Sequence, residues 1–182
     1  MPDVEIVNVV GIITYRQELD LQALADTFST RDEIESVEYN PADNHWLQTR
    51  FRPDSAYVAF YRSGRCSVAG ANSIEHFIEV EQRVTDVMRD LLQFDYTPET
   101  EVSNIVATAE VDLNASLELL AVHLGLESVE YEPEQFPALL FRGSDYTILL
   151  FSSGKVVCAG LTTCDDVASA IDEFESQIQA VQ

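Results

Sequence analysis

The chain is written twice. Val7-Asn8-Val9-Val10 returns as Ser103-Asn104-Ile105-Val106, and Glu38-Tyr39-Asn40-Pro41 returns as Glu130-Tyr131-Glu132-Pro133. Arg62-Ser63-Gly64-Arg65, running on to Val68-Ala69-Gly70, returns as Ser152-Ser153-Gly154-Lys155, running on to Cys158-Ala159-Gly160. The echoes keep their order at offsets of 96, 92 and 90 positions, so the chain is an internal duplication with halves 1–92 and 93–182. A unit of that size buries a core only marginally, and fusing two units into one continuous core is the economical solution. A tandem pair builds a pseudo-symmetric object whose surface suits a target with two-fold character, duplex DNA among them.

Each half reads as strand, short helix, run of strands, long helix. Residues 4–13 are β-branched and nearly continuous, which predicts a strand. Asp20 caps a short helix with Leu21, Leu24, Ala25 and Phe28 on one face. Strands follow at 34–39, 47–52, 56–61 and 66–71, with turns at Asn40-Pro41, Pro53-Asp54 and Ser63-Gly64. Ser73 then caps a long helix carrying Ile74, Phe77, Ile78, Val84, Val87, Met88 and Leu91 at helical spacing. The second half predicts strands at 102–111, 129–131, 138–142, 146–151 and 156–161. Its short helix carries Leu117, Leu120, Ala121 and Leu124 and stops at Gly125, and Thr163 opens the last helix. Strands joined by such tight turns are antiparallel.

An antiparallel sheet with helices on one side should alternate apolar and polar residues. Val9-Val10, Leu139-Leu140-Phe141, Ile148-Leu149-Leu150-Phe151 and Val156-Val157 are apolar at consecutive positions, hence on both faces. Each half has helix enough for one side only. A bare apolar face of that extent marks a binding surface; a second covering layer or a dimer are the other ways to hide it.

The net charge is −22, from 32 acids and ten bases, and Lys155 is the only lysine. One reading is avoidance of nucleic acid. The other, favoured by the retention of Arg and near-absence of Lys, is adaptation to a molar-salt interior, where repulsion is screened within about 3 Å. Acidity therefore does not exclude DNA. Arg50, Arg52, Arg62, Arg65, Arg142 and Lys155 fall in strand and turn segments, so the negative charge belongs mainly to helices and loops.

Catalytic chemistry is not indicated. Cys66, Cys158 and Cys164 lack paired metal-ligand spacing and fit reduced thiols, and His45, His76 and His123 are scattered. Ser152-Ser153-Gly154-Lys155 lacks the rest of a phosphate loop and reads as a hairpin turn. No enzyme activity, metal or cofactor is expected. No run of eighteen apolar residues and no basic-then-apolar leader occur, which predicts a cytoplasmic, nucleoid-associated protein with no membrane span.

Asn-Ile-Val near the start of the second half, Tyr131-x-Pro133-x-x-Phe136-Pro137, and Phe151-Ser-Ser-Gly-Lys-x-Val-Cys-x-Gly160 resemble the TATA-box binding protein family in its archaeal form, over essentially the whole chain. The acidity is similar to that of a version from a salt-loving archaeon. The resemblance implies an α+β fold: a pseudo-two-fold saddle of two repeats, with a curved ten-stranded antiparallel sheet and four helices on the convex face. It implies a general transcription initiation factor that binds A·T-rich promoter DNA in the minor groove and bends it. Asn8 and Asn104 match the family's central Asn pair, whose amides would donate to base acceptors. Val10 and Val106 match the neighbouring apolar contacts, and Phe136 and Phe151 match the wedges that kink base steps. Leu149 and Val157 match apolar contacts beside them; Arg50, Arg52, Arg65, Arg142 and Lys155 match residues that hold phosphate.

The first repeat departs from that pattern. Asn44 stands where the family has its first wedge Phe, with Trp46 two residues on, and Tyr61 stands at the second wedge position. Ser67 replaces a Val, and Ala69 and Ala159 stand where Thr is common. The family recruits transcription factor B, and through it RNA polymerase, by the loop before the second-repeat wedge; Glu132 and Glu134 match its acidic contacts and Gln135 replaces a Leu. Two outcomes stay open: a promoter-binding initiation factor, or an adaptor with weakened DNA contact that works through protein partners. A homodimer off DNA would also cover the apolar face.

Overall fold

The computed structural model describes residues 2–125 and 127–180. Along the chain run β1 (Glu5–Thr14), α1 (Leu21–Phe28), β2 (Ile34–Glu38), β3 (Trp46–Phe51), β4 (Ala56–Tyr61), β5 (Arg65–Ala71) and α2 (Ile74–Leu92). The same order returns as β6 (Glu99–Glu110), α3 (Leu117–Leu124), β7 (Val129–Glu130), β8 (Ala138–Arg142), β9 (Thr147–Phe151), β10 (Lys155–Leu161) and α4 (Cys164–Gln179). The chain divides into two compact units, Asn8–Ser103 and Met1–Val7 with Asn104–Gln182. No helix among the described residues is long and apolar enough to cross a membrane.

In the Asn8–Ser103 unit the strands pair antiparallel in the order β2-β3-β4-β5-β1. The long helix α2 packs on β5, and α1 packs on β2 and β3. Their apolar stripes bury Val9, Ile13, Leu47, Phe51, Val58, Phe60, Cys66 and Val68 from one side of the sheet. Phe28 of α1 is the keystone, with its ring centroid 5.2 Å from that of Phe60 and 6.2 Å from that of Phe51. In the other unit β7-β8-β9-β10-β6 pair antiparallel. There α4 packs on β10 and α3 on β7 and β8. Phe174 of α4 lies 5.2 Å from Phe141 over a floor of Ile105, Leu139, Ile148, Leu150 and Val156.

Every helix starts where a side chain can satisfy the orphaned amides of its first turn. Asp20 accepts from the amides of Gln22 and Ala23, Ser73 from His76, Ser116 from Leu119, and Thr163 from Asp166. Strand ends mostly fall within a residue of the sequence expectation. The exception is β6, which begins at Glu99 rather than Val102. Glu99-Thr100-Glu101 carries no hydrophobic signal, yet Thr100 Oγ1 donates to Glu81 Oε1 of α2 at 3.2 Å and ties this polar extension down.

Candidate nucleic-acid interface

Burial now alternates along strands whose sequence does not. In β9, Ile148 and Leu150 are buried under the helices, whereas Thr147, Leu149 and Phe151 are half-exposed. In β10, Val156 and Cys158 are buried while Val157 and Ala159 are half-exposed. Register aligns these open-side residues into rows. Leu140 faces Leu149, which faces Val157, which faces Thr108. Arg142 faces Thr147, which faces Ala159, which faces Val106. Ala138 faces Phe151 at the outer end. Phe136, 47% exposed, sets its ring edge-on to Phe151 at 6.2 Å and 64°. The second unit therefore presents an apolar face that its own helices do not cover, ending in two paired aromatic rings.

At the other end of that face sits Asn104. Its Oδ1 accepts from the amide of Gly160 at 2.7 Å. Gly160 has φ +115°, and the pairing of β10 with β6 shifts register between Ala159 and Leu161. A Cβ there would stand 2.7 Å from the carbonyl oxygen of Asp145, so only glycine forms this bulge. The bulge turns an amide toward Asn104 and occupies the carbonyl end of the side chain. The NH2 end is left as the outward donor. The first unit repeats the device: Asn8 Oδ1 accepts from Gly70 at 2.8 Å, Gly70 has φ +95°, and β1 shifts register between Val9 and Gly11.

The sequence profile described as "Transcription factor TFIID (or TATA-binding protein, TBP)" matches residues 3–91 and again 99–181. The chain belongs to the TATA-binding protein family. It is 39% identical to TATA-box-binding protein 2 of Haloferax volcanii, over 98% of this chain and 94% of that one. It is 38% identical to the TATA-box-binding protein of Natronomonas pharaonis, over 97% and 92%. Among solved structures, Methanococcus jannaschii TBP superposes with a TM-score of 0.79 at 32% identity, covering 98% of this chain and 99% of that one. The α+β fold expected from the resemblance, ten antiparallel strands with four helices, is thus the family's fold. The family is one of transcription factors and not of enzymes.

Relative to its own second repeat, this TATA-binding protein family member is different in the first. The row matching Leu140–Leu149–Val157–Thr108 is Gln48–Ala59–Ser67–Ile12. The row matching Arg142–Thr147–Ala159 is Arg50–Tyr57–Ala69. At the outer end Trp46 faces Tyr61 with ring centroids 6.3 Å apart. Trp46 thus supplies the ring that Asn44 lacks, from two residues further on; Asn44 is half-buried, with its amide donating to the Asn40 carbonyl at 2.8 Å. Both units keep an aromatic pair, but only the second keeps three apolar residues in a row, Leu140, Leu149 and Val157. Gln48 and its repeat counterpart Leu140 were not among the expected site residues. Following the strand pairing at the repeat offset would have found them.

Bases sit at the margins, most of them beside carboxylates. Arg142 pairs with Glu130 at 2.9 Å, and Arg65 reaches Glu101 at 3.4 Å. Arg50 stacks over Tyr57 at 5.2 Å and donates to the Ser55 carbonyl at 3.0 Å. Lys155 faces Glu110 across the ladder and lines a cavity with Asp3, Glu5 and Thr108. Arg52 lies beyond β3 and lines a groove against α2 with Arg83, Asp86 and Val87, apart from the open-face rows. Glu132, Glu134 and Gln135 are all exposed in the loop before Phe136, whose amide closes the turn on the Glu132 carbonyl at 2.9 Å.

Among the described residues no group of His, Cys, Asp and Glu could hold a metal. Cys66 and Cys158 are buried, and burial pushes their thiols up to about 12 and about 11. One polar cluster was invisible in the sequence. His76 Nε2 lies 2.5 Å and Arg83 NH2 2.6 Å from Asp54 Oδ2, and Arg83 NH1 donates to the Arg52 carbonyl at 3.1 Å. Burial opposes the charge of Asp54, but the hydrogen bonds from Arg83 and His76 and the Arg83 charge outweigh it, holding the carboxyl at about 2. The cluster clamps the β3–β4 turn to α2 on the helix side of the sheet, away from the open face.

Proposed function

We propose that this protein is a general transcription initiation factor that binds A·T-rich promoter DNA through its open sheet faces, from the minor-groove side, and bends it. The observation that carries this reading is the row Leu140–Leu149–Val157 with Phe136 and Phe151 at its end, apolar and uncovered. At A·T pairs the minor groove shows only acceptors, so an apolar face bearing few donors matches it by shape. The outward amides of Asn8 and Asn104 supply those donors. Val10, Val106, Leu149 and Val157 supply the contact around them. Phe136 and Phe151 in the second repeat, and Tyr61 with Trp46 in the first, are placed to wedge base steps and trade stacking for contact. Arg50, Arg65, Arg142 and Lys155 take phosphates, whereas Arg52, turned to the α2 groove, does not. The repeats 1–92 and 93–182 each serve one half of the site.

Glu132, Glu134 and Gln135 form the contact for transcription factor B, which brings RNA polymerase. Gel shift and footprinting on an A·T-rich promoter duplex in molar KCl test the reading. A protected A·T-rich segment is expected, and a folded protein that protects nothing would reject it. The polar first-repeat row Gln48–Ala59–Ser67 favours one second reading, an adaptor with weakened DNA contact. That alternative requires capture of transcription factor B without DNA bending.

A further inference from the structure

The duplication provides an internal comparison: two copies of one fold whose open faces differ in chemistry. In the second repeat Leu140, Leu149 and Val157 offer no hydrogen-bond acceptor, and the row's one hydroxyl, on Thr108, lies at its inner end, where the first repeat has Ile12. A guanine in the minor groove projects its N2 amino group, the one donor that separates G·C from A·T there. Pressed against leucine and valine, that donor loses its water and gains nothing, so such a face rejects G·C.

The equivalent row of the first repeat is Gln48–Ala59–Ser67. Gln48 and Ser67 are half-exposed on the open side. Tyr57 OH donates to Gln48 Oε1 at 3.3 Å, which steadies the amide on the face and leaves the oxygen a second lone pair. The Ser67 hydroxyl offers two acceptor lone pairs. Room exists as well as chemistry. A cavity of about 330 Å³ opens beside Ser67, lined by Ile12, Tyr61 and Arg65 among others, whereas Ala59, where the second repeat has Leu149, is itself buried.

Resting on the promoter-binding reading above, we propose that Gln48 and Ser67 let the first repeat accept a G·C pair in its half of the site by receiving the guanine amino group. The second repeat demands A·T. The preferred target is then asymmetric, and a G·C pair on one side fixes which way round the protein sits.

Four duplexes test this against the full chain by fluorescence anisotropy in molar KCl: all A·T, one G·C pair in the left half, one in the right, and one in both. A protein with one tolerant repeat turns round to meet a single G·C pair, so either single substitution should weaken binding by less than about threefold. Substitution in both halves should weaken it by about tenfold or more, the usual cost of a wrong base pair. The variant combining Gln48→Leu with Ser67→Val copies the second repeat, and its loss from a single G·C pair should rise to about tenfold. Each loss is a ratio to the same protein on the all-A·T duplex, so a general change in affinity cancels. Ser67→Ala alone, which removes the acceptor with the least change in packing, should raise the single-pair loss part of the way. Equal losses per pair, with the double substitution costing the product of the singles, would overturn the proposal while leaving promoter binding intact. Unchanged ratios in the variants would overturn it too. Failure to bind the all-A·T duplex would instead reject the promoter-binding reading, and the proposal with it.

Discussion

Asn104→Asp separates folding from recognition at a single atom. In the native protein Oδ1 of Asn104 accepts from the Gly160 amide at 2.7 Å, which leaves the NH2 group of this half-exposed side chain as its donor. Aspartate keeps an oxygen for Gly160, so the bulge between Ala159 and Leu161 retains its hydrogen bond. Stability should change by no more than about 0.5 kcal/mol, the range of substitutions that leave the packing alone. What changes is the outward atom: a donor becomes an anionic acceptor facing the acceptor atoms N3 of adenine and O2 of thymine. A good base contact is worth about 1–3 kcal/mol, so affinity for an A·T-rich duplex should fall at least tenfold, toward about a hundredfold. The assay pairs anisotropy titration with thermal melting in the same KCl buffer. Asn104→Ala is the control, because it strips Gly160 of its partner and should cost about 1 kcal/mol of stability as well as affinity. Wild-type affinity in Asn104→Asp, or a loss matched by an equal loss of stability, would refute the assignment of Asn104 as an outward donor. Asn8, bonded to Gly70 at 2.8 Å, should behave alike.

Asp54→Asn should destabilise the protein by about 1–2 kcal/mol at pH 7, because a carboxyl held at about 2 in the fold titrates near 3.9 when unfolded. That contribution is present above the unfolded value and disappears as pH falls through about 2, so urea unfolding should show the gap narrowing in that window; a gap independent of pH would contradict the clamp. Iodoacetamide at pH 8 should label only Cys164 in the native protein, since Cys66 and Cys158 are buried with raised thiols; mass spectrometry finding two or three labels would count against the packing described. DNA affinity should stay flat or rise as KCl increases through the molar range. Three of the bases proposed to take phosphates have carboxylates beside them, Glu130 at Arg142, Glu101 at Arg65 and Glu110 opposite Lys155, which would take up cations as DNA approaches. A steep fall of the kind counterion release produces would refute that.

Much of this fold is legible because local signals and tertiary structure agree. The duplication announces two like units, and Asp20, Ser73 and Thr163 cap helices where the sequence places them. What is hidden depends on pairing between distant strands. Ile148-Leu149-Leu150-Phe151 is apolar throughout, so the sequence cannot say which residues the helices cover; the burial of β9 can. Gln48 reads as an ordinary polar strand residue until its register with Ala59, and that of Ala59 with Ser67, sets it beside the matching leucine row. Asp54, His76 and Arg83 carry no motif, since their meeting depends on how the β3–β4 turn docks on α2. Gly70 and Gly160 read as ordinary residues of the strands 66–71 and 156–161, whereas each sits at a bulge whose amide bonds an asparagine.

The central claim is that an open apolar face with paired aromatic wedges holds and bends promoter DNA. Energy transfer between dyes at the two ends of a short A·T-rich duplex, followed as protein is added in molar KCl, tests it most directly. We expect transfer to rise with wild-type protein and to rise clearly less with the combined Phe136→Ala and Phe151→Ala variant, which keeps only the Trp46–Tyr61 pair and whose circular dichroism should remain that of the wild type. A duplex that stays straight with wild-type protein bound, or bends equally with the variant, would contradict it.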